Sequence, residues 1–96
     1  MKVFAIGRFT QPLSAEEKAR ILPREVPDTL KLYLDGKIEQ FWFRLDQPGP
    51  IFLMNGSVDE ARAALDKLPL VQAGLLAFEL TPVGPLSPLG VLIRGE

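Results

Sequence analysis

Apolar residues recur along the chain in two kinds of pattern. The segments 2–9, 37–44, 50–55 and 74–81 are short runs rich in β-branched and aromatic residues, which is typical of β-strands. Two longer segments place apolar residues at three- and four-residue spacing, which is typical of helices with one buried side. The predicted order of elements is therefore β-α-β-β-α-β.

The first predicted helix begins at Ser14 and ends at Gly36, and its apolar stripe faces one side. Ser14 is followed three residues later by a glutamate, the capping-box pattern of a helix start. Pro23 and Pro27 each lack the N–H group that would bond a carbonyl one turn earlier. We therefore expect the helix to bend or restart there and to stand away from the sheet near Glu25. The stripe consists of Leu22, Val26, Leu30, Tyr33 and Leu34.

The second predicted helix covers residues 57–69, with Ser57 as its cap and Pro69 as its stop. Two right-handed crossovers that share one sheet give the antiparallel strand order 4-1-3-2 of the ferredoxin-like fold. The chain is too short for two independent cores. We therefore predict one α+β domain over residues 1–84.

The proline-rich end, residues 85–96, is predicted to be a separate tail. Its prolines exclude a helix or a central strand. Val91, Leu92 and Ile93 are too apolar to extend into water. We therefore expect the tail to dock on the protein, across a second subunit rather than on its own.

Both faces of the predicted sheet are apolar, although two helices can cover only one of them. We therefore predict a homodimer in which the remaining faces bury each other. In strand one the predicted alternation sets Phe4 and Ile6 against Val3, Ala5 and Phe9, and in strand two it sets Ile38 and Trp42 against Phe41 and Phe43.

Charge and hydropathy exclude several kinds of partner. The eleven basic and twelve acidic residues are scattered, so we expect neither a nucleic-acid partner nor a membrane surface. The apolar run at the start is broken by Gly7 and Arg8, short of a signal peptide or a membrane span. A cytoplasmic protein is expected.

The chain has no cysteine and no histidine, which removes most common catalytic groups. Among the remaining groups, Glu25 lies at the border of the apolar stripe. If it points inward, burial would raise its pKa, and the carboxyl group could take a proton from carbon and return it. The alternative is a half-exposed carboxylate that pairs with Arg24 or Lys31 in water.

Four charged residues interrupt apolar strands, and they have two interpretations. Arg8, Glu39, Arg44 and Glu79 could form ion pairs between strands or subunits, because isolated charges are costly there. Alternatively, Arg8 or Arg44 could clamp a substrate carboxylate. Trp42 and Tyr33 are interpreted as packing residues, with pocket lining as the alternative.

The second strand, "DGKIEQFWFR", and the second helix, "SVDEARAALDKLPL", followed by a strand and a proline-rich end, resemble the muconolactone isomerase-like proteins of the dimeric α+β barrel superfamily. The resemblance covers nearly the whole chain. It implies a homodimer whose sheets close into a barrel, with pockets for small molecules beside the sheets. It also implies proton abstraction and return on a lactone, without a metal or an organic cofactor.

Glu25 falls where the first helix of these isomerases carries a glutamate, so the resemblance implies that it is the catalytic carboxylate. Gln40 lies near a position at which they carry a histidine, so the polar partner of a lactone would differ. The substrate-binding candidates are Arg8, Gln40, Trp42, Arg44 and Tyr33. A non-catalytic dimer that binds a ligand or serves in assembly is the alternative function, which the lack of histidine favours.

Overall fold

The computed structural model describes residues 1–85 and contains one four-stranded antiparallel sheet in the order β2-β3-β1-β4. The predicted strand order and ferredoxin-like α+β class are confirmed, and the predicted order of elements is found with one further short helix before the last strand. The strands are β1 (Lys2–Phe9), β2 (Ile38–Phe43), β3 (Pro50–Asn55) and β4 (Leu76–Val83), and the helices are α1 (Ala15–Leu34), α2 (Val58–Leu65) and α3 (Pro69–Gln72).

Helix α1 is continuous through both of its prolines. It does not restart at Pro23, so the predicted possibility of a second short helix there is wrong. The residues that lose a helical hydrogen bond are Ala19 and Pro23, because the N–H groups of Pro23 and Pro27 are missing. Both are exposed, and water can therefore satisfy their carbonyls.

Helix α2 ends earlier than predicted, at Leu65. Pro69 does not stop this helix but begins the short helix α3. The first-turn N–H groups of a helix have no partner within it, so proline is well suited to a first position. The prediction of one helix over residues 57–69 was therefore wrong from residue 66 onward.

Strand β2 contains one residue more than the stretch of β3 that it pairs with. Ile38 pairs with Met54, and Gln40 pairs with Leu53, so Glu39 is the extra residue of a β-bulge. A bulge of this kind reverses which side of the sheet the following residues face.

The bulge corrects the predicted faces of β2. Ile38 lies on the helix side together with Phe41 and Phe43, whereas Trp42 lies on the opposite side. The ring of Trp42 is 6.0 Å from that of Phe4, which is also on the side away from the helices. The predicted pairing of Ile38 with Trp42 on one face was wrong, because strict alternation leaves out the extra residue.

The hydrophobic core fills the space between the helices and one face of the sheet. Its buried residues include Val3, Ala5, Ile38, Phe52, Met54, Leu65, Leu70 and Phe78. We call the other side of the sheet the open face. Its central apolar residues, each at least partly exposed, are Phe4, Ile6, Trp42, Ile51 and Leu53.

Strand β4 extends two residues beyond its predicted end and includes Pro82. It is an edge strand, where a missing N–H group can face outward. Residues 86–96 lie outside the described residues, so the docking of the tail stays a prediction. None of the helices within residues 1–85 has the length and apolar character needed to cross a membrane.

Candidate functional site

A cavity of about 510 Å³ lies between helix α1 and the edge of the sheet formed by β2 and β3. Two polar side chains, Glu25 and Thr29, take part in its wall, which is otherwise apolar. Helix α1 supplies Leu22, Glu25, Val26, Thr29 and Leu30, the strands supply Phe41, Trp42, Phe43, Pro50 and Phe52, and Phe9, Leu70 and Leu76 complete the wall.

Glu25 is the buried charged residue of the described chain, with 7% of its surface exposed. Its Oε1 accepts a hydrogen bond of 2.9 Å from the backbone N–H of Leu70. The hydroxyl of Thr29 donates to the backbone carbonyl of Glu25 at 2.8 Å and lies 3.4 Å from Oε2. One carboxyl oxygen is therefore firmly held, and the other has only a long contact.

Helix α3 explains why Glu25 is held in this position. The cap residue Leu68 provides no side-chain hydrogen bond, and Pro69 has no N–H group. The N–H of Leu70 is therefore an early free donor at the start of α3, and Glu25 accepts from it across the structure.

The environment shifts the pKa of Glu25 upward. Burial is the largest cause, because it disfavours the charged form, while the bonds from Leu70 and Thr29 lower the pKa and the neighbouring charge of Asp28 raises it. The carboxyl group consequently stays protonated to a higher pH than an exposed glutamate does. Such a group is suited to both giving and taking a proton.

The two arginines that were predicted to bind a substrate carboxylate do not line the cavity. Arg44 binds Asp46 through Nε and Nη2 at 3.0 and 2.8 Å, and its Nη1 donates to the carbonyl of Gly7 at 3.1 Å. Its contacts thus hold the β2–β3 turn against β1. Arg8 is exposed on the open face, where it pairs in register with Ala77.

The close approach of β1 to this turn depends on glycine. A Cβ atom at Gly7 would lie 2.8 Å from Cδ of Pro50, which is too close. A Cβ atom at Gly49 would clash with the carbonyl oxygen of Gly7. Pro50 belongs to the cavity wall. The glycines and Arg44 therefore fix one end of the cavity without lining it.

The other predicted binding residues have different surroundings. Gln40 is exposed and lies on the open face. Trp42 takes part in the cavity wall, although its ring packs beside Phe4 on the other side of the sheet. The ring of Tyr33 meets Phe41 edge to face at 5.2 Å, so Tyr33 supports a wall residue from outside the cavity.

A second cavity, of about 210 Å³, lies between the end of α1 and the end of α2. Its charged residues are all exposed and are therefore in contact with water. It is the weaker candidate for a site. These charged residues are Asp28, Lys31, Asp35, Lys37 and Lys67. Within residues 1–85, His, Cys, Asp and Glu side chains form no group of three or more that could hold a metal ion.

A solved structure with a similar fold is that of 5-chloro-2-hydroxyhydroquinone dehydrochlorinase from Burkholderia phenoliruptrix, in complex with 2,5-dihydroxybenzoquinone. The similarity covers 90% of this chain and 97% of that chain, with a TM-score of 0.66 and 21% sequence identity. The two proteins share a fold. No protein-family model and no curated protein sequence matches the chain.

Sequence reasoning missed several residues of the cavity. Thr29 could have been found, because it follows Glu25 by four residues on a helix and so lies on the same side. Phe41 and Phe43 were placed on one face, but the bulge that turns them toward α1 was not foreseen. Leu70 could not be found, since its contact with Glu25 depends on the unpredicted helix α3.

Proposed function

We propose that the protein is a muconolactone isomerase-like enzyme that moves a proton on a small lactone or carboxylated compound, without a cofactor. The observation that carries the proposal is the buried carboxyl group of Glu25 in the wall of an unfilled apolar cavity. Buried carboxyl groups in clefts are costly to the fold and are common at catalytic sites.

The hydrogen bonds of Glu25 assign different roles to its two oxygens. Oε1 is held by the N–H of Leu70, which fixes the side chain. Oε2 is then the oxygen that faces the substrate. It takes a proton from a carbon next to a carbonyl group: the C–H bond breaks, an O–H bond forms, and the electron pair is delocalised as an enolate.

Delivery of a proton from Glu25 to another carbon of the conjugated system completes the reaction, and in D2O the carboxyl proton exchanges with solvent between the two steps. The O–H bond of Glu25 breaks, a new C–H bond forms, and the double bond has moved. Burial favours the neutral form of Glu25 that exists between the two steps. The group therefore matches a reaction in which it alternates between base and acid.

The size of the cavity and the fold relationship support a small cyclic substrate. About 510 Å³ is within the range of small-molecule pockets. The structurally similar dehydrochlorinase is named after a substrate that is a chlorinated, hydroxylated ring. We therefore propose a substrate that contains a single ring.

A second candidate function is ligand binding without turnover. It is favoured by the bond between Glu25 and Leu70, because that carboxyl group already has a structural role as a cap of helix α3. In this case the cavity would hold a ligand while Glu25 only maintains its wall.

The decisive experiment is exchange of ligand protons with solvent deuterium, followed by NMR on unsaturated five-membered lactones. We expect the wild-type protein to catalyse exchange next to the carbonyl and Glu25→Gln to lower the rate at least about 100-fold, the usual contribution of acid–base catalysis. Glu16→Gln changes an exposed glutamate of the same helix and should leave the rate unchanged.

The possible results separate the two functions. Undiminished exchange by a folded Glu25→Gln variant would exclude Glu25 as the base. Binding of a lactone by the wild-type protein with no exchange would favour the second candidate instead.

We also propose that the protein acts as a homodimer through its open face. The central residues of that face are apolar and at least partly exposed in the single chain. Burial of such a surface is the usual source of stability in permanent dimers.

A further inference from the structure

We infer that Thr29 is a second catalytic residue of the site, and that its hydroxyl donates a hydrogen bond to the carbonyl oxygen of the bound compound. Negative charge develops on that oxygen when Glu25 removes a proton from the neighbouring carbon. The inference rests on the proposed function and deepens it, because it assigns the group that stabilises the enolate.

Thr29 and Glu25 present their oxygens to the same cavity. They are four residues apart on α1, so they lie on the same side of the helix, and both line the cavity. Oγ1 of Thr29 lies 3.4 Å from Oε2 of Glu25, the oxygen that takes the proton in the proposed reaction. The hydroxyl and the carboxyl group can therefore contact one small ligand together.

A carbonyl compound fits this pair of oxygens. Its carbonyl oxygen and the neighbouring carbon, which carries the acidic hydrogen, are two bonds and about 2.4 Å apart. A carbonyl oxygen at hydrogen-bond distance from Oγ1 can therefore place that carbon within reach of Oε2.

The hydroxyl of Thr29 can turn toward a ligand at little cost. It donates to the backbone carbonyl of Glu25 at 2.8 Å. In the continuous helix α1 the same carbonyl is also the partner of the backbone N–H of Thr29, one turn later. Because the carbonyl keeps this helical bond, rotation of the hydroxyl leaves no backbone group without a partner.

The contact is stronger during the reaction than before it. As the C–H bond breaks, its proton moves to Oε2 of Glu25 and its electron pair is delocalised onto the carbonyl oxygen. A hydrogen bond to a charged oxygen is stronger than one to a neutral carbonyl. Thr29 therefore increases the rate more than it increases the affinity for the substrate.

The test uses two five-membered lactones and the variant Thr29→Val, which keeps the shape of the side chain without its hydroxyl. Tetronic acid is an enolate at neutral pH and mimics the intermediate, whereas the β,γ-unsaturated lactone is uncharged and mimics the substrate. In calorimetry on the full chain, the variant should bind tetronate at least about 10-fold more weakly and the uncharged lactone less than about threefold more weakly. Its rate of deuterium exchange should fall about 100-fold.

Two further variants separate the hydroxyl from general damage. Thr29→Ser keeps the hydroxyl and should retain at least about a third of the exchange rate. Thr10→Val removes a hydroxyl that donates to the carbonyl of Gly74 at 2.7 Å, outside the cavity wall, and should change neither binding nor exchange.

The pH profile separates a contact with the ligand from an effect on Glu25. The bond from Thr29 lowers the pKa of Glu25, so its loss raises that pKa further. If Thr29 acted only in this way, the variant would regain the wild-type exchange rate at higher pH. We expect the loss to persist from about pH 6 to pH 9.

The outcomes distinguish this inference from the proposed function. Equal binding of tetronate by the wild-type protein and Thr29→Val overturns the inference, as does undiminished exchange by the folded variant or recovery of its rate at higher pH. Failure of the wild-type protein to bind tetronate at millimolar concentration overturns it too. Weaker binding of tetronate by Thr29→Val, with no exchange by the wild-type protein, supports the hydrogen bond while it contradicts the proposed catalysis.

Discussion

At the scale of single residues, the carboxyl group of Glu25 connects the stability of the fold with the chemistry of the site. It lies inside the protein rather than in water beside Arg24 or Lys31, and it accepts a bond from Leu70. Since burial raises its pKa, the folded state binds the proton of Glu25 more tightly than the unfolded chain does. The raised pKa that suits proton transfer therefore lowers the stability of the folded state at pH values at which Glu25 is ionised.

This cost predicts the pH dependence of stability. The folded state holds the Glu25 proton more tightly than the unfolded state, so the free energy of unfolding falls as pH rises above about 4.5, the ordinary glutamate value. Relative to Glu25→Gln, the wild-type protein should lose up to about 1.4 kcal/mol per pH unit until the folded pKa is passed.

Urea unfolding of both proteins between pH 4 and pH 8, at one protein concentration, measures this difference. Glu17 and Glu60 have lowered pKa values because they bond to Ser14 and Ser57, and they change stability in the opposite direction. Both are present in the two proteins, so their effects cancel in the comparison. If the free energy of unfolding of the wild-type protein, measured relative to that of Glu25→Gln, stays constant or increases with pH, then burial of Glu25 does not control its ionisation.

At the scale of elements, the sequence predicted correctly the features that depend on residues close together in the chain. The capping boxes at Ser14 and Ser57 correctly marked the starts of α1 and α2, and the four strands were found from composition. The bulge at Glu39 and the start of α3 at Pro69 were not found. The bulge depends on the pairing of β2 with β3, which a local pattern does not contain, whereas Pro69 is a local signal that was interpreted as a helix stop instead of a helix start.

The same limit applies to the candidate site. Glu25 and Trp42, two of the predicted site residues, both lie in the wall of the cavity, but the sequence gave no sign that Arg44 is bound to Asp46 and the Gly7 carbonyl. Charged residues within strands have the same pattern whether they pair or bind a ligand. Only the folded arrangement separates these cases.

The prolines of α1 give a prediction for this element. Pro27→Ala restores the N–H group that can bond the carbonyl of Pro23 and removes a ring clash, so the free energy of unfolding should rise by about 1–3 kcal/mol. Denaturant unfolding is the measurement. If the prolines hold α1 away from the sheet near Glu25, the same variant should also weaken lactone binding.

Pro48→Ala is the matched control, because Pro48 is exposed in the β2–β3 turn and interrupts no helix. It should leave stability unchanged or lower it by up to about 1 kcal/mol, since a proline in a turn restricts the unfolded chain. A Pro27→Ala variant no more stable than the wild type would mean that α1 accommodates its prolines without strain.

At the scale of the whole molecule, the open face is the surface that remains to be covered. Its apolar residues come from β1, β2 and β3, which places them at the centre and one edge of the sheet. Stable dimers commonly bury about 1,600 Å² or more in total. Contact between two open faces would bury the apolar surface that the helices leave exposed.

Leu53→Lys tests this arrangement by placing a charge at the centre of the open face. Light scattering at low micromolar concentration should give a dimer for the wild-type protein and a monomer for the variant, because buried unpaired charges are costly. Leu45→Lys makes the same change at a fully exposed position and should remain a dimer. A folded wild-type monomer under these conditions contradicts the proposal.

The tail gives a further prediction for the assembly. Removal of the residues after Gly84 should lower the melting temperature or the proportion of dimer, because the apolar residues Val91, Leu92 and Ile93 are expected to dock on a second subunit. Calorimetry and light scattering on the shortened chain measure both quantities. If neither quantity changes, the tail is dispensable for the assembly.

The extra residue in β2 has a consequence for how this chain can vary. Deletion of Glu39 would remove the bulge but leave Ile38 opposite Met54 and Gln40 opposite Leu53, so Trp42 would stay on the open face and Phe41 and Phe43 on the helix side. The strand can therefore lose this one residue without a change in the side chains that it presents to the ligand cavity and to the proposed subunit contact.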